Sequence, residues 1–170
     1  MKSLLNSISI VALFVSVLST SCNKLGELCF DFAQNTTIPT NAVTAAGPVT
    51  STKSLGTALA DQLTAKGVKI DNVNTVDVKA ITVTIPETAD YKFDDISAAE
   101  VTVNNISLGK LPAGATGKTQ TFSTPSQGDF KAAFLGSTGA TMTFNATFKK
   151  AVSASSISIQ IPLNTCYQVL

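Results

Sequence analysis

Between Thr141 and Leu163 apolar and polar residues alternate almost without exception. Met142, Phe144, Ala146 and Phe148 fall on one side of an extended chain, with Thr141, Thr143, Asn145 and Thr147 on the other. After a polar turn over 149–155, Ile157, Ile159, Ile161 and Leu163 resume the pattern. A period of two is the signature of a half-buried strand and is incompatible with a helix. The two stretches are expected to pair antiparallel across the turn. Pro162 has no N–H to give to a ladder, so it predicts either an edge strand or a bulge.

The rest of the chain carries the same punctuation. Residues 27–33 read as a strand, with Leu28, Phe30 and Phe32 on one face and Cys29 and Asp31 on the other; 35–40 should break it. An extended segment follows around Val43 and Val49. Over 51–66 the period changes: Leu55, Leu59 and Leu63 recur every fourth residue and Gly67 follows as a natural stop, which predicts a helix with a core-facing leucine stripe. Val76 and Val78 are even, whereas Ile81, Val83 and Ile85 are odd, so one strand over 76–85 needs a bulge near Lys79-Ala80. A strand over 99–108 slips phase in the same way at Asn104-Asn105. Phe130 and Phe134, with Gly136 after them, mark a second short helix over 129–135. Many short strands with few helices predict a mainly β fold: an antiparallel β-sandwich, immunoglobulin-like or related, with two short crossover helices.

Composition then removes whole classes of chemistry. The chain has no His, no Arg and no Trp; all 12 basic residues are Lys, against 11 Asp plus Glu. Without His there is no Ser/His/Asp or Cys/His nucleophile and no imidazole metal ligand. Without Arg, and with a charge near zero, there is little to attract a polyphosphate, so no nucleic-acid partner is expected. Serines are plentiful, but no Gly-x-Ser-x-Gly or Ser-x-x-Lys stretch marks an activated one. No enzyme activity, catalytic residue, cofactor or metal is assigned.

The N-terminus reads as an address. Lys2 precedes an apolar run over 8–18, and Leu18-Ser19-Thr20-Ser21-Cys22 closes it with small residues and a thiol. The run is too short for a membrane-spanning helix, which needs about 20 residues. The segment resembles a bacterial lipoprotein signal, which implies removal of residues 1–21 and a lipid anchor, palmitate-like acyl chains included, on Cys22. Ser19 and Ser21 also satisfy ordinary secretory cleavage, so a plain signal peptide is the competing reading. Residues 22–26 would form a tether and 27–170 a single domain, one ordinary core in size. With Cys22 given to lipid, Cys29 and Cys166 remain to pair with each other in an oxidising compartment; two unbonded buried thiols are the alternative.

The Phe30-Asp31-Phe32 strand, the helix before Val76, the Val76 to Pro86 run, the Phe130 to Phe134 helix and the two closing strands, in that order, resemble small β-sandwich lipoproteins of unknown function from Bacteroidota. That resemblance implies a lipid-anchored, non-enzymatic protein of the cell envelope, at the outer membrane, on its periplasmic or its surface face. It would act as a structural or interaction module for an envelope protein or glycan. The rival is a small-molecule or glycan-binding lipoprotein with a loop or inter-sheet pocket.

Two acidic groups invite a calcium reading: Asp94-Asp95 with Glu87 and Asp90, and Asp71 to Asn74 with Asp77. Neither has EF-hand spacing, and solvated loops with Asx turns explain both. Tyr91 and Phe93, aromatics in a polar loop, are the candidate partner contact; capping of the core by the same rings is the other reading.

Overall fold

The computed structural model describes residues 26–124, 129–136 and 139–169. Cys22, the apolar segment before it and the tether up to Leu25 lie outside the described residues.

Among the described residues nine strands and two short α-helices follow in order: β1 (Glu27–Thr40), β2 (Gly47–Gly56), α1 (Ala58–Ala65), β3 (Val73–Val78), β4 (Ile81–Thr84), β5 (Ile96–Val103), β6 (Ile106–Lys110), β7 (Thr119–Phe122), α2 (Lys131–Leu135), β8 (Ala140–Phe148) and β9 (Ser155–Gln168). They make two antiparallel sheets, β1-β9-β4-β7 with β3 also on β9, and β2-β8-β5-β6. The sheets pack on one continuous apolar core that includes Ile38, Val83, Val101, Phe122, Met142, Phe144, Ile159 and Leu163. This is the expected β-sandwich. Both helices cross between sheets, α1 from β2 to β3 and α2 from β7 to β8.

One expected pairing is wrong. β8 pairs with β2 and β5, whereas β9 pairs with β1, β3 and β4, so the turn after Phe148 arches from one sheet to the other. Both alternating faces bury against the same core from opposite sides. A period of two fixes which residues point inward but not whether two strands are neighbours or face each other.

β1 also runs past the expected break. Phe32, Gln34, Ile38 and Thr40 are all buried, so the inward phase continues through a stretch disguised by polar residues. Likewise Ser51 to Gly56 extends β2 against β8, and the helix begins only at Ala58. Leu59 and Leu63 are its buried stripe, and Gly67, at φ +77°, stops it as expected. The slip at Asn104-Asn105 is a two-residue hairpin turn. Both asparagines have positive φ, 46° and 65°, the primed-turn geometry that Asn tolerates. Asn104 then fixes the turn to its surroundings: its amide donates to the carbonyls of Ala133 (3.0 Å) and Gly139 (3.1 Å), and its Oδ1 accepts from the Thr141 N–H (3.0 Å).

The bulge at Lys79-Ala80 is present. Val78 lies opposite Leu163 and Thr82 opposite Gln160, so the β3–β4 side carries one residue more than β9. This also explains Pro162 in a central strand. Cys29 and Cys166 are directly opposite with Cα atoms 4.0 Å apart, the close spacing of a non-hydrogen-bonded pair. Ala33 and Pro162 lie four residues along and belong to the same class, so the backbone groups of Pro162 point away from β1 and toward the bulge. Its carbonyl accepts from the Lys79 N–H there at 2.9 Å, and the irregular side asks for no donor in return.

The sandwich thus has two distinct ends. Where β1 begins and β9 finishes lie α1, α2 and the Asn104-Asn105 turn. The opposite end holds Thr40, Ser155, residues 86–95 and the turn after Phe148.

Candidate functional site

The expected contact aromatics are not on the surface. Tyr91 is 1% exposed and Phe93 is fully buried. Tyr91 packs edge-on against Phe148, with ring centroids 5.1 Å apart, and its hydroxyl bonds the Thr40 hydroxyl at 2.8 Å. Burial pushes its phenol up, with hydrogen bonds to Thr40 and Ser155 pulling the other way. Phe93 meets Phe122 edge-on at 6.0 Å. The partner-contact reading is therefore corrected: both rings cap the core, because the loop that carries them folds back across the open end of the sandwich.

That loop is pinned by backbone hydrogen bonds and lysines. The Lys118 ammonium donates to the carbonyls of Ala89 (2.8 Å) and Tyr91 (2.7 Å), and more distantly to that of Pro86. Lys149 donates to the Asp94 carbonyl at 2.7 Å. The acidic side chains face the other way. Asp90 accepts from the Ser153 N–H, Asp94 from the Gly117 N–H at 2.8 Å, and Asp95 from the Lys92 N–H while pairing with Lys150 at 3.1 Å. The Ser153 hydroxyl first, and then its N–H, hold the Asp90 carboxyl below its ordinary range, and the Gly117 N–H does the same for Asp94. A depressed carboxyl contributes stability above its unfolded value, near 3.9, and loses it as pH falls through the folded value. The N–H groups of Ser153 and Gly117 are accordingly expected to lose hydrogen-exchange protection, relative to intrinsic rates, as pH falls below about 4. Protection in β8 and β9 should hold through the same range. Unchanged protection at both amides would show that these contacts carry nothing.

A broad open concavity lies elsewhere, on the outer face of the β1-β9-β4-β7 sheet. Register brings two full rows together there. One row is Thr37, Ser158, Thr84 and Thr119, and the next is Asn35, Gln160, Thr82 and Thr121. Neighbouring strands are about 4.8 Å apart and successive residues of one face about 6.8 Å, so the rows form a lattice of hydroxyl and amide groups. The open trough over the β1, β9 and β4 part of this lattice holds roughly 540 Å³, with Lys53 of β2 also lining it. Thr84 and Thr119 share a hydrogen bond at 3.2 Å. No carboxylate and no aromatic ring lines it. The arrangement can exchange hydrogen bonds with a neutral polar ligand, but it supplies no nucleophile with a base beside it. The sequence signals were Asn35-x-Thr37, Thr82-x-Thr84 and Thr119-x-Thr121. Only the register shows that they converge.

Among the described residues no group of three or more His, Cys, Asp or Glu is placed to hold a metal ion, and no helix is long and apolar enough to cross a membrane.

At the helical end the outer face carries the Cys29–Cys166 disulfide, which joins β1 to β9. Two residues along, Asp31 accepts from Asn164 (3.0 Å) and Lys79 (2.9 Å), and these bonds, Asn164 first, lower its carboxyl. On the inner side Phe30 stacks on Tyr167 at 5.5 Å, with the Lys66 ammonium over Phe30 at 5.3 Å. Compared with known proteins, the chain matches no family model and no curated protein.

Proposed function

We propose that this is a lipid-anchored, non-enzymatic protein of the bacterial cell envelope, related to the small β-sandwich lipoproteins that its sequence resembles and working as a tethered structural or interaction module. The observation that carries the reading is Cys22 behind an apolar export segment, five residues before a disulfide-clamped strand pair. The filled core supports it: the interior is occupied by Phe, Ile, Val and Leu side chains packed between the two sheets. Acyl chains contribute about 0.8 kcal/mol per buried methylene, and two or more give stable attachment. A Cys22→Ala variant expressed in the native host is expected to lose a fatty-acid label and leave the membrane fraction. Label or membrane retention surviving that change would sink the anchor.

The polar trough favours a second reading, in which the tethered domain holds a neutral glycan on its outer sheet face. A photoreactive side chain in place of Thr82 would separate the two in the native envelope, since the adduct is a protein in one case and a carbohydrate in the other.

A further inference from the structure

The exposed apolar side chains are not scattered. Among the described residues the large ones are Leu28 (45% exposed), Ile106 (40%) and Val169 (47%), and all three stand at the helical end. Leu28 lies opposite Tyr167, and Val169 follows two residues on, where its N–H donates to the Gly26 carbonyl at 2.7 Å. Leu28, Tyr167 and Val169 therefore share one side of the strand pair. Ile106 follows the Asn104-Asn105 turn, which Asn104 ties to α2 and the start of β8. Single exposed leucines are ordinary on a soluble surface. Confinement of all three to one end is not accounted for by packing.

We infer that this end lies against the lipid surface, with Leu28, Val169 and Ile106 dipping into the headgroup region. The inference rests on the anchor at Cys22. From there to Glu27 the chain advances five residues and can reach at most about 17 Å. The opposite end of the sandwich is a whole strand away, on the order of 45 Å for the 14 residues of β9. A protein held at Cys22 therefore keeps the helical end beside the bilayer at every tilt, and that is the end with apolar groups to bury. Charge does not drive the contact: Lys66, Lys69 and Lys131 stand among Glu27, Asp61, Asp71 and Asp129. Apposition should therefore be insensitive to salt and to anionic lipid. It would hold the Tyr91 end and the trough clear of the membrane.

The absence of Trp makes the test free of background. Full-length Leu28→Trp and Thr88→Trp proteins, purified from the native host, would be reconstituted in phosphatidylcholine vesicles with brominated acyl chains, and mass spectrometry would report the group on Cys22. The expected result is blue-shifted, strongly quenched emission from Trp at position 28 and red, unquenched emission from position 88. Equal, unquenched emission from both in acylated protein overturns the inference and leaves the anchor standing. Protein without an acyl group at Cys22 removes the anchor reading, and the inference with it.

Discussion

Replacing Cys29 and Cys166 together by serine is expected to lower the free energy of unfolding by about 5 kcal/mol, read by extrapolating urea unfolding to water, with a steeper slope because the uncross-linked chain unfolds to a more expanded state. The magnitude follows from the length of chain closed, because the two residues are 137 positions apart and the bond spans almost the whole described domain. A cross-link over so long a loop acts mainly on the unfolded ensemble, whose ends it holds together. The folded state should change little. β1 and β9 keep 14 paired residues, and Cys29 is exposed, so serine there leaves no buried orphan. A thiol reductant without denaturant should reach the bond for the same reason. The double variant should therefore fold and share the wild-type circular dichroism at low urea. A free energy of unfolding in water unchanged to within about 1 kcal/mol would mean that the unfolded chain already holds its ends close, and that the clamp contributes nothing by constraining it.

How far the sequence reaches is clearest in the strands. Inward residues were legible wherever a run of Ile, Val or Phe alternated with Thr or Asn, as over 142–148 and 157–163, because burial alone sets that pattern. The bulge at Lys79-Ala80 was legible too, since an even-to-odd change in Val76, Val78, Ile81 and Val83 has no other solution within one strand. The same signature at Asn104-Asn105 meant a hairpin, and what separates the cases is backbone preference: two asparagines tolerate positive φ, whereas Lys-Ala does not. Burial of Gln34 and Thr40 hid the second half of β1, because polar side chains in an inward phase look like a loop. Neighbours distant in sequence were not legible at all. They depend on contacts between residues more than a hundred positions apart, as between β1 and β9, and no local pattern records them.

The same limit governs the candidate sites. Cys29 and Cys166 could be matched by counting thiols, a global argument that needs no register. The trough could not be found, since Asn35, Thr82 and Gln160 converge only through two separate strand pairings. Tyr91 and Phe93 failed for the opposite reason. Their neighbours Asp90, Lys92, Asp94 and Asp95 are polar and exposed or half-buried, so the local sequence looks like surface, while two rings alternate inward beneath it.

Phe93→Ala is expected to destabilise the protein by about 3–5 kcal/mol, the usual cost of removing a buried phenylalanine with incomplete collapse around the cavity. Phe93 has no exposed surface, meets Phe122 edge-on and is held by its own N–H, which donates to the Gly117 carbonyl at 2.8 Å. That bond ties the loop to the strand entry beside β7, so the backbone resists moving in to fill the space. Lys92→Ala, one residue away and exposed, should cost within about 0.5 kcal/mol. The contrast between adjacent positions is the informative quantity, because a loop serving as a partner contact would give the reverse: small changes in urea stability at both sites and loss of captured partner at Phe93. If Phe93→Ala unfolds at the wild-type urea concentration, the ring is not part of the core, and the loop must be reconsidered as an interface. If it unfolds several kcal/mol earlier, the end of the sandwich that carries this loop is a structural cap, and the surface it presents is the polar one of Lys92, Lys149 and Lys150 rather than its aromatics.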